Sequence, residues 1–226
     1  MPRSFRARAV GIDLDGTLLD TVADIAAALD ATLAEFGRPP LPLDKVRTYI
    51  GKGVATLMQR ALSGSSDGRV DDAGAAHAMA SFLRHYEREN GRSAALFPRV
   101  PEGLAAMRAK GLRLACVTNK PQAFAETLLE RTGLAAHFEF TVGGGAVPRG
   151  KPDPMPLEYA CARFGIAPAQ MVMIGDSLND ALAARAAGMP VMIVPYGYNE
   201  GRPADSIDAD AVVADLLEAA GRIAAD

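Results

Sequence analysis

The chain has 226 residues, of which 49% are hydrophobic and 23% charged, with a formal net charge of −3. That profile fits one large globular domain or two modest ones and excludes a disordered or fibrous chain. No basic stripe of the kind that binds nucleic acid is visible, and no apolar run is long enough to span a membrane.

The basic N-terminus, MPRSFRARAVGIDLDG, lacks the apolar core of a signal peptide because Asp13 interrupts it. The first strand is expected over ARAVGIDL (7–14). Residues 21–91 then break the pattern with helices alone. Val22, Ile25, Leu29, Leu33 and Phe36 recur at helical spacing after an expected N-cap at Thr21, with Asp24 three residues on. A second helical stretch runs from Leu43 to Leu62, SGSSDGR (63–69) is a loop, and Met79, Phe82 and Tyr86 mark a third helix. From there, strands expected over 112–119, 138–143, 170–176 and 190–196 alternate with helices expected over 100–111, 124–133, 156–165 and 180–188. The strands lack a polar face, as strands covered on both sides do, and Gly111, Gly133, Gly165 and Gly188 stand where helices end. Strand and helix in alternation predict a doubly wound parallel α/β sheet, whose ligands bind beyond the carboxyl ends of the strands. The expected division is a catalytic core of residues 1–20 and 92–226, with an inserted helical cap of residues 21–91. Cys116 falls in a strand and Cys161 in a helix, without metal-site spacing, and both read as core residues of a cytoplasmic protein.

Four strand ends carry polar groups. In VGIDLDGTLLD (10–20), strand alternation would put Asp13 and Asp15 on one face. An Asp-rich turn around Gly16 is the plain alternative. VTNK (117–120) offers the Thr118 hydroxyl and the Asn119 amide beside a helix start, as an anion site or as simple caps. GKPDP (150–154) holds Lys151 ahead of two prolines, as a phosphate or carboxylate partner or as a solvated lysine. MIGDSLND (173–180) ends a strand at Asp176 and starts a helix near Asp180, as metal-site acids or as caps. Together, Asp13, Asp15, Asp176 and Asp180 would repel one another without a hard dication, and Lys151 alone does not balance them. Carboxylate, carbonyl and water oxygens suit Mg²⁺ and leave positions for a substrate phosphate.

In their order, DLDGTLLD, VTNK, KPDP and GDSLND resemble the four motifs of the haloacid dehalogenase superfamily across nearly the whole core. YIGKGV, LFP, VTNKP, GIAP and YGYNEG resemble its phosphoglycolate phosphatase-like branch, as does a small helical cap after the first motif. The resemblance implies Mg²⁺-dependent hydrolysis of 2-phosphoglycolate through an aspartyl-phosphate. It implies Asp13 as nucleophile and Asp15 as acid and then base. It also implies Thr118, with Asn119 beside it, bonding the phosphoryl group, and Lys151 steadying nucleophile and phosphate. The metal shell it implies comprises Asp13, the Asp15 carbonyl, Asp176 and neighbouring Asp180. In the glycine-flanked loop Gly51–Lys52–Gly53, backbone N–H groups and the Lys52 charge could meet a substrate carboxylate, or Lys52 is a solvated turn lysine. Other readings are a phosphatase for sugar phosphates or pyrophosphate, a β-phosphoglucomutase-like phosphotransferase, or a receiver-like phospho-switch without turnover. The expected partner is a small phosphate ester, with no nucleic acid or membrane. No heptad or apolar face selects between monomer and homodimer.

Overall fold

The computed structural model describes residues 4–226, apart from the side chain of Asp72. Strand β1 (Phe5–Ala7) leads through Arg8 into β2 (Ala9–Ile12). A two-residue strand β3 (Leu19–Asp20) precedes helices α1 (Val22–Glu35), α2 (Leu43–Tyr49), α3 (Gly53–Ser63) and α4 (Asp72–Glu89). Strand β4 (Ala95–Leu96) returns antiparallel beside β3. The remaining order is α5 (Val100–Ala109), β5 (Arg113–Pro121), α6 (Gln122–Arg131), β6 (Phe140–Gly144), α7 (Met155–Phe164), β7 (Met171–Gly175), α8 (Leu178–Ala186), β8 (Val191–Ile193), β9 (Ala211–Val212), α9 (Leu216–Arg222) and β10 (Ile223–Ala225). Six strands form one parallel sheet in the order β6-β5-β2-β7-β8-β9, while β1 pairs in parallel with β10. The expected doubly wound α/β fold is present.

The two-residue period of a strand explains why these segments are apolar throughout. Val10, Ile12, Leu114, Cys116, Val172 and Ile174 face one hydrophobic layer, where α5, α6 and α9 pack. Ala9, Ala115, Val117, Met171 and Met173 face the other, against α7 and α8. Both faces are dry, so no position is left for the polar half of an alternating pattern. Cys116 and Cys161 are buried free thiols within these layers. The glycines after α5, α6, α7 and α8 all take positive φ, as the C-terminal turn of a helix requires. Among the described residues no helix is long and apolar enough to cross a membrane.

The helices α1–α4 enclose a third hydrophobic cluster built on Leu29, Leu33, Met58, Phe82 and Tyr86. Two local expectations change here. The stretch 43–62 is two helices, because Gly51 (φ +117°) and Gly53 (φ +80°) turn the chain out of helical geometry between them. Thr21 precedes α1 but gives it no side-chain cap; its hydroxyl donates instead to Asp15 Oδ1 at 2.7 Å. Asp24, also buried, accepts from the Gly91 and Ser93 N–H groups at 2.7 Å each, tying the start of α1 to the chain leaving α4.

Candidate active site

Strand β2 ends at Ile12, yet the Asp13 N–H still donates to the Ile174 carbonyl of β7 at 2.9 Å, which fixes Asp13 at the sheet's carboxyl edge. Asp15 lies beyond the strand. The convergence of the two acids therefore comes from the turn that follows, where Gly16 takes φ +92° and its N–H donates to the Leu19 carbonyl, and strand alternation does not produce it. A Cβ on Gly16 would stand 2.5 Å from Asp176 Oδ2, so the glycine is required both by its φ and by the close approach of β7.

Each acid has its own buried ammonium. Lys151 Nζ donates to Asp13 Oδ1 (2.8 Å), Asp180 Oδ1 (2.6 Å) and the Val117 carbonyl (2.6 Å), which uses all three of its protons. Lys120 Nζ donates to Asp15 Oδ1 (3.0 Å) and to the Tyr86 hydroxyl (2.5 Å), with Asp15 Oδ2 at 3.4 Å. Burial opposes the charge on both lysines, but the facing carboxylates outweigh it and hold both above the ordinary lysine value. Burial also pushes the Asp13 carboxyl up to about 6, with Lys151 opposing and Asp180 adding to the rise, and the Tyr86 phenol up to about 12.

Asp176 is oriented by the Thr17 hydroxyl on Oδ1 (3.0 Å) and the Tyr198 N–H on Oδ2 (2.7 Å). Asp180 takes the expected capping part and also pairs with Lys151. One oxygen meets Lys151, and the other accepts from the Ser177 N–H (3.1 Å) and hydroxyl (2.7 Å), capping α8. Burial, then Asp180 and Asp13, raise Asp176 well above the usual carboxylate range. Asp13, Asp176 and Asp180 are buried with one carboxylate oxygen each inside a 4.8 Å cluster, the only such group among the described residues. The donors are all hard oxygens. The four acids of the cleft face two ammoniums, so the charge left over is that of two carboxylates, which a single divalent cation would balance. The residues present fit a metal site. The Asp15 side chain lies outside that cluster, held by Lys120 and Thr21, so only its backbone would be available to a cation there.

All of Asp13, Asp15, Thr118, Asn119, Lys151, Asp176 and Asp180 border one cleft of about 680 Å³, open to solvent, as do Gly51 and Gly53. Thr118 is buried and its oxygen accepts from the Lys120 N–H at 3.2 Å, which leaves the hydroxyl proton for a ligand. Asn119 spends both amide protons within the protein, on the Gly51 carbonyl (2.9 Å) and the Lys151 carbonyl (2.7 Å), while its Oδ1 is buried without a partner. Asn179 adds a second donor to the Gly51 carbonyl at 3.3 Å. Lys52 does not border the cleft. Its ammonium pairs with Glu200 at 2.8 Å, where buried Arg60 also binds, because the 199–201 turn brings that carboxylate against the loop. The opposite wall is apolar: Ile25, Ile50, Val54, Leu57 and Phe82 from the helical segment. Sequence reasoning passed over Lys120, Tyr86, Thr17 and Tyr198. Lys120 carries a signal all the same, standing two residues after Thr118 and so on the same face of an extended strand.

Known proteins resemble the chain in sequence and in fold. Residues 7–188 match the family model for haloacid dehalogenase-like hydrolase. Phosphoglycolate phosphatase of Thiobacillus denitrificans is 51% identical over 213 residues, covering 94% of either chain. The enzyme of that name from Nitrosospira multiformis is 51% identical over 212 residues, with 94% of this chain and 93% of the relative covered. A crystal structure described as a predicted phosphoglycolate phosphatase, from Haemophilus somnus 129pt, superposes with a TM-score of 0.88 at 32% identity, covering 94% of this chain and 96% of that one. The chain belongs to the haloacid dehalogenase-like hydrolase family.

Proposed function

We propose that the chain is a Mg²⁺-dependent phosphatase that hydrolyses 2-phosphoglycolate to glycolate and phosphate through an aspartyl-phosphate on Asp13. The observation that carries this reading is the pair Asp13 and Asp15, each held by a separate buried lysine, with only Asp13 belonging to the three-acid cluster. Two acids so differently held can divide nucleophilic and proton-transfer work. The names of relatives at 51% identity support the choice of substrate.

In the first step an Asp13 oxygen attacks phosphorus as the bond from phosphorus to the ester oxygen breaks. Lys151 anchors Asp13 Oδ1, which leaves Oδ2 as the attacking atom. The departing alkoxide takes a proton from Asp15. Oδ1 of Asp15 is committed to Thr21 and Lys120, and Oδ2, with one contact at 3.4 Å, is the oxygen placed to carry that proton. In the second step Asp15 takes a proton from water as the water oxygen attacks phosphorus, and the Asp13 carboxylate is released. The Thr118 hydroxyl donates to a phosphoryl oxygen throughout. Held by Asp13, Asp176 and Asp180 with the Asp15 carbonyl, Mg²⁺ would supply positive charge against the phosphoryl oxygens. Residues 21–91 act as a cap in this reading, their apolar wall excluding water from the cleft.

That wall also favours a second reading, a small phosphate ester with a less polar leaving group. A panel of phosphoglycolate, a sugar phosphate, pyrophosphate and phenyl phosphate, followed by steady-state phosphate release with Mg²⁺ or a chelator, separates the two. The expected result is Mg²⁺-dependent turnover with phosphoglycolate ahead of the panel and none from Asp13→Asn. Turnover of phosphoglycolate no faster than of the others would end the substrate claim. Normal activity of Asp13→Asn would end the mechanism.

A further inference from the structure

The two buried ammoniums of the cleft differ in what they have left to give. Lys151 spends all three protons on protein oxygens. Lys120 spends one on Asp15 Oδ1 and one on the Tyr86 hydroxyl, and its third meets only the long 3.4 Å contact to Asp15 Oδ2, which leaves it the proton most readily turned to a ligand. The Tyr86 oxygen accepts from Lys120, so its own proton is also uncommitted. Both side chains border the cleft beside Asp15. They are also rigid: Tyr86 stacks on Phe82 with ring centroids 5.2 Å apart, and Lys120 Nζ stands 4.7 Å from the centroid of the Tyr86 ring.

We propose that Lys120 and Tyr86 are the specificity pair that binds the carboxylate of the leaving group. This rests on the phosphoglycolate reading above. Asp15 protonates the leaving oxygen, so the remainder of the leaving group extends past Asp15, where these two donors stand. A carboxylate there accepts one proton from each in a charge-assisted bond. An uncharged leaving group leaves the Tyr86 proton unmet and the third Lys120 proton with only its long contact to Asp15, which is the stronger basis for rejecting a near-isostere. Tyr86 comes from α4 and Lys120 from β5, so the pair exists only with the helical segment seated on the sheet.

The test compares kcat/KM for phosphoglycolate with that for ethyl phosphate, in which a methyl replaces the carboxylate, in the wild type and in Tyr86→Phe. Phenylalanine keeps the ring and its stacking, whereas Lys120→Met strips Asp15 of its counter-ion and serves only as a second variant, scored if it unfolds at a normal temperature. The expected result is a preference for phosphoglycolate that falls about tenfold or more in Tyr86→Phe, chiefly through KM, in step with the loss of a hydrogen bond to a charged group. The inhibition constant of the product glycolate should rise by a similar factor. If both substrates slow equally and glycolate inhibition is unchanged, the pair only positions Asp15 and the inference is overturned while the phosphatase reading stands. If the wild type shows no preference for phosphoglycolate, the substrate reading itself fails.

Discussion

Replacing Lys151 with methionine tests whether the buried charge arrangement is what the geometry implies. The substitution keeps the length of the side chain and removes the one cation between Asp13 and Asp180, whose cluster oxygens lie within 4.8 Å of each other. Two unit charges at that distance repel by about 3 kcal/mol at an effective dielectric constant near 20. That agrees with the ~3–5 kcal/mol found on removing one partner of a buried ion pair. For a chain of this size, ~3 kcal/mol corresponds to a fall in Tm of roughly 6–12 °C. The assay is thermal unfolding in chelator at pH 7.5 and at pH 5. Burial already pushes the Asp13 carboxyl up to about 6, above the usual carboxylate range. Loss of Lys151 raises it further. A carboxyl with a raised folded-state pKa contributes stability at low pH and loses it as pH rises through that value. The variant should therefore approach the wild type at pH 5, where Asp13 is neutral, and separate from it at pH 7.5. A gap below about 2 °C at pH 7.5, or one that is the same at both pH values, would refute the charge argument.

Two further outcomes follow from the same acids. Protons compete with a cation for Asp13, so Mg²⁺ affinity measured by calorimetry should weaken about tenfold between pH 7 and pH 5 as the group at about 6 takes up its proton; an affinity flat across that range would contradict it. Gly16→Ala forces a Cβ to within 2.5 Å of Asp176 Oδ2 at φ +92°. It should cost about 1–3 kcal/mol in urea unfolding and weaken Mg²⁺ binding at least tenfold, whereas wild-type values in both would show that the turn has room.

The parts of the molecule legible in the sequence are those set by local chemistry. Strands covered on both faces announce themselves as unbroken apolar runs, and glycines 111, 133, 165 and 188 mark helix ends because only a positive φ closes them cheaply. The acids at 13, 15, 176 and 180 were legible as a group because like charges at several strand ends require a counter-charge. Long-range partners were not. Tyr198 serves the site from far along the chain, its N–H on Asp176 and its hydroxyl on Asp20. Tyr86 and Lys120 meet only because α4 lies over β5. Thr21 and Asp24 looked like helix-start residues, and the folded chain uses both elsewhere, since each found a stronger partner in space than in sequence. The ammonium of Lys52 went to Glu200 for the same reason.

The ribbon of Leu19–Asp20 and Ala95–Leu96 has a consequence of its own. The chain departs for the helices and comes back through two hydrogen-bonded neighbours, with Leu19 paired to Leu96 and Asp20 to Ala95. Everything between them is, in topological terms, a detour: shortening or exchanging it need not move any strand of the main sheet. Asp13, Asp15, Thr118, Lys120, Lys151, Asp176 and Asp180 all stay behind at such a splice, while Tyr86, Phe82, Gly51 and the apolar wall travel with the insert. The residues proposed for the reaction and the apolar surface presented to the rest of the ligand thus lie on opposite sides of one two-residue ribbon in the chain, though side-chain bonds such as Asn119 to Gly51 and Lys120 to Tyr86 also tie them together.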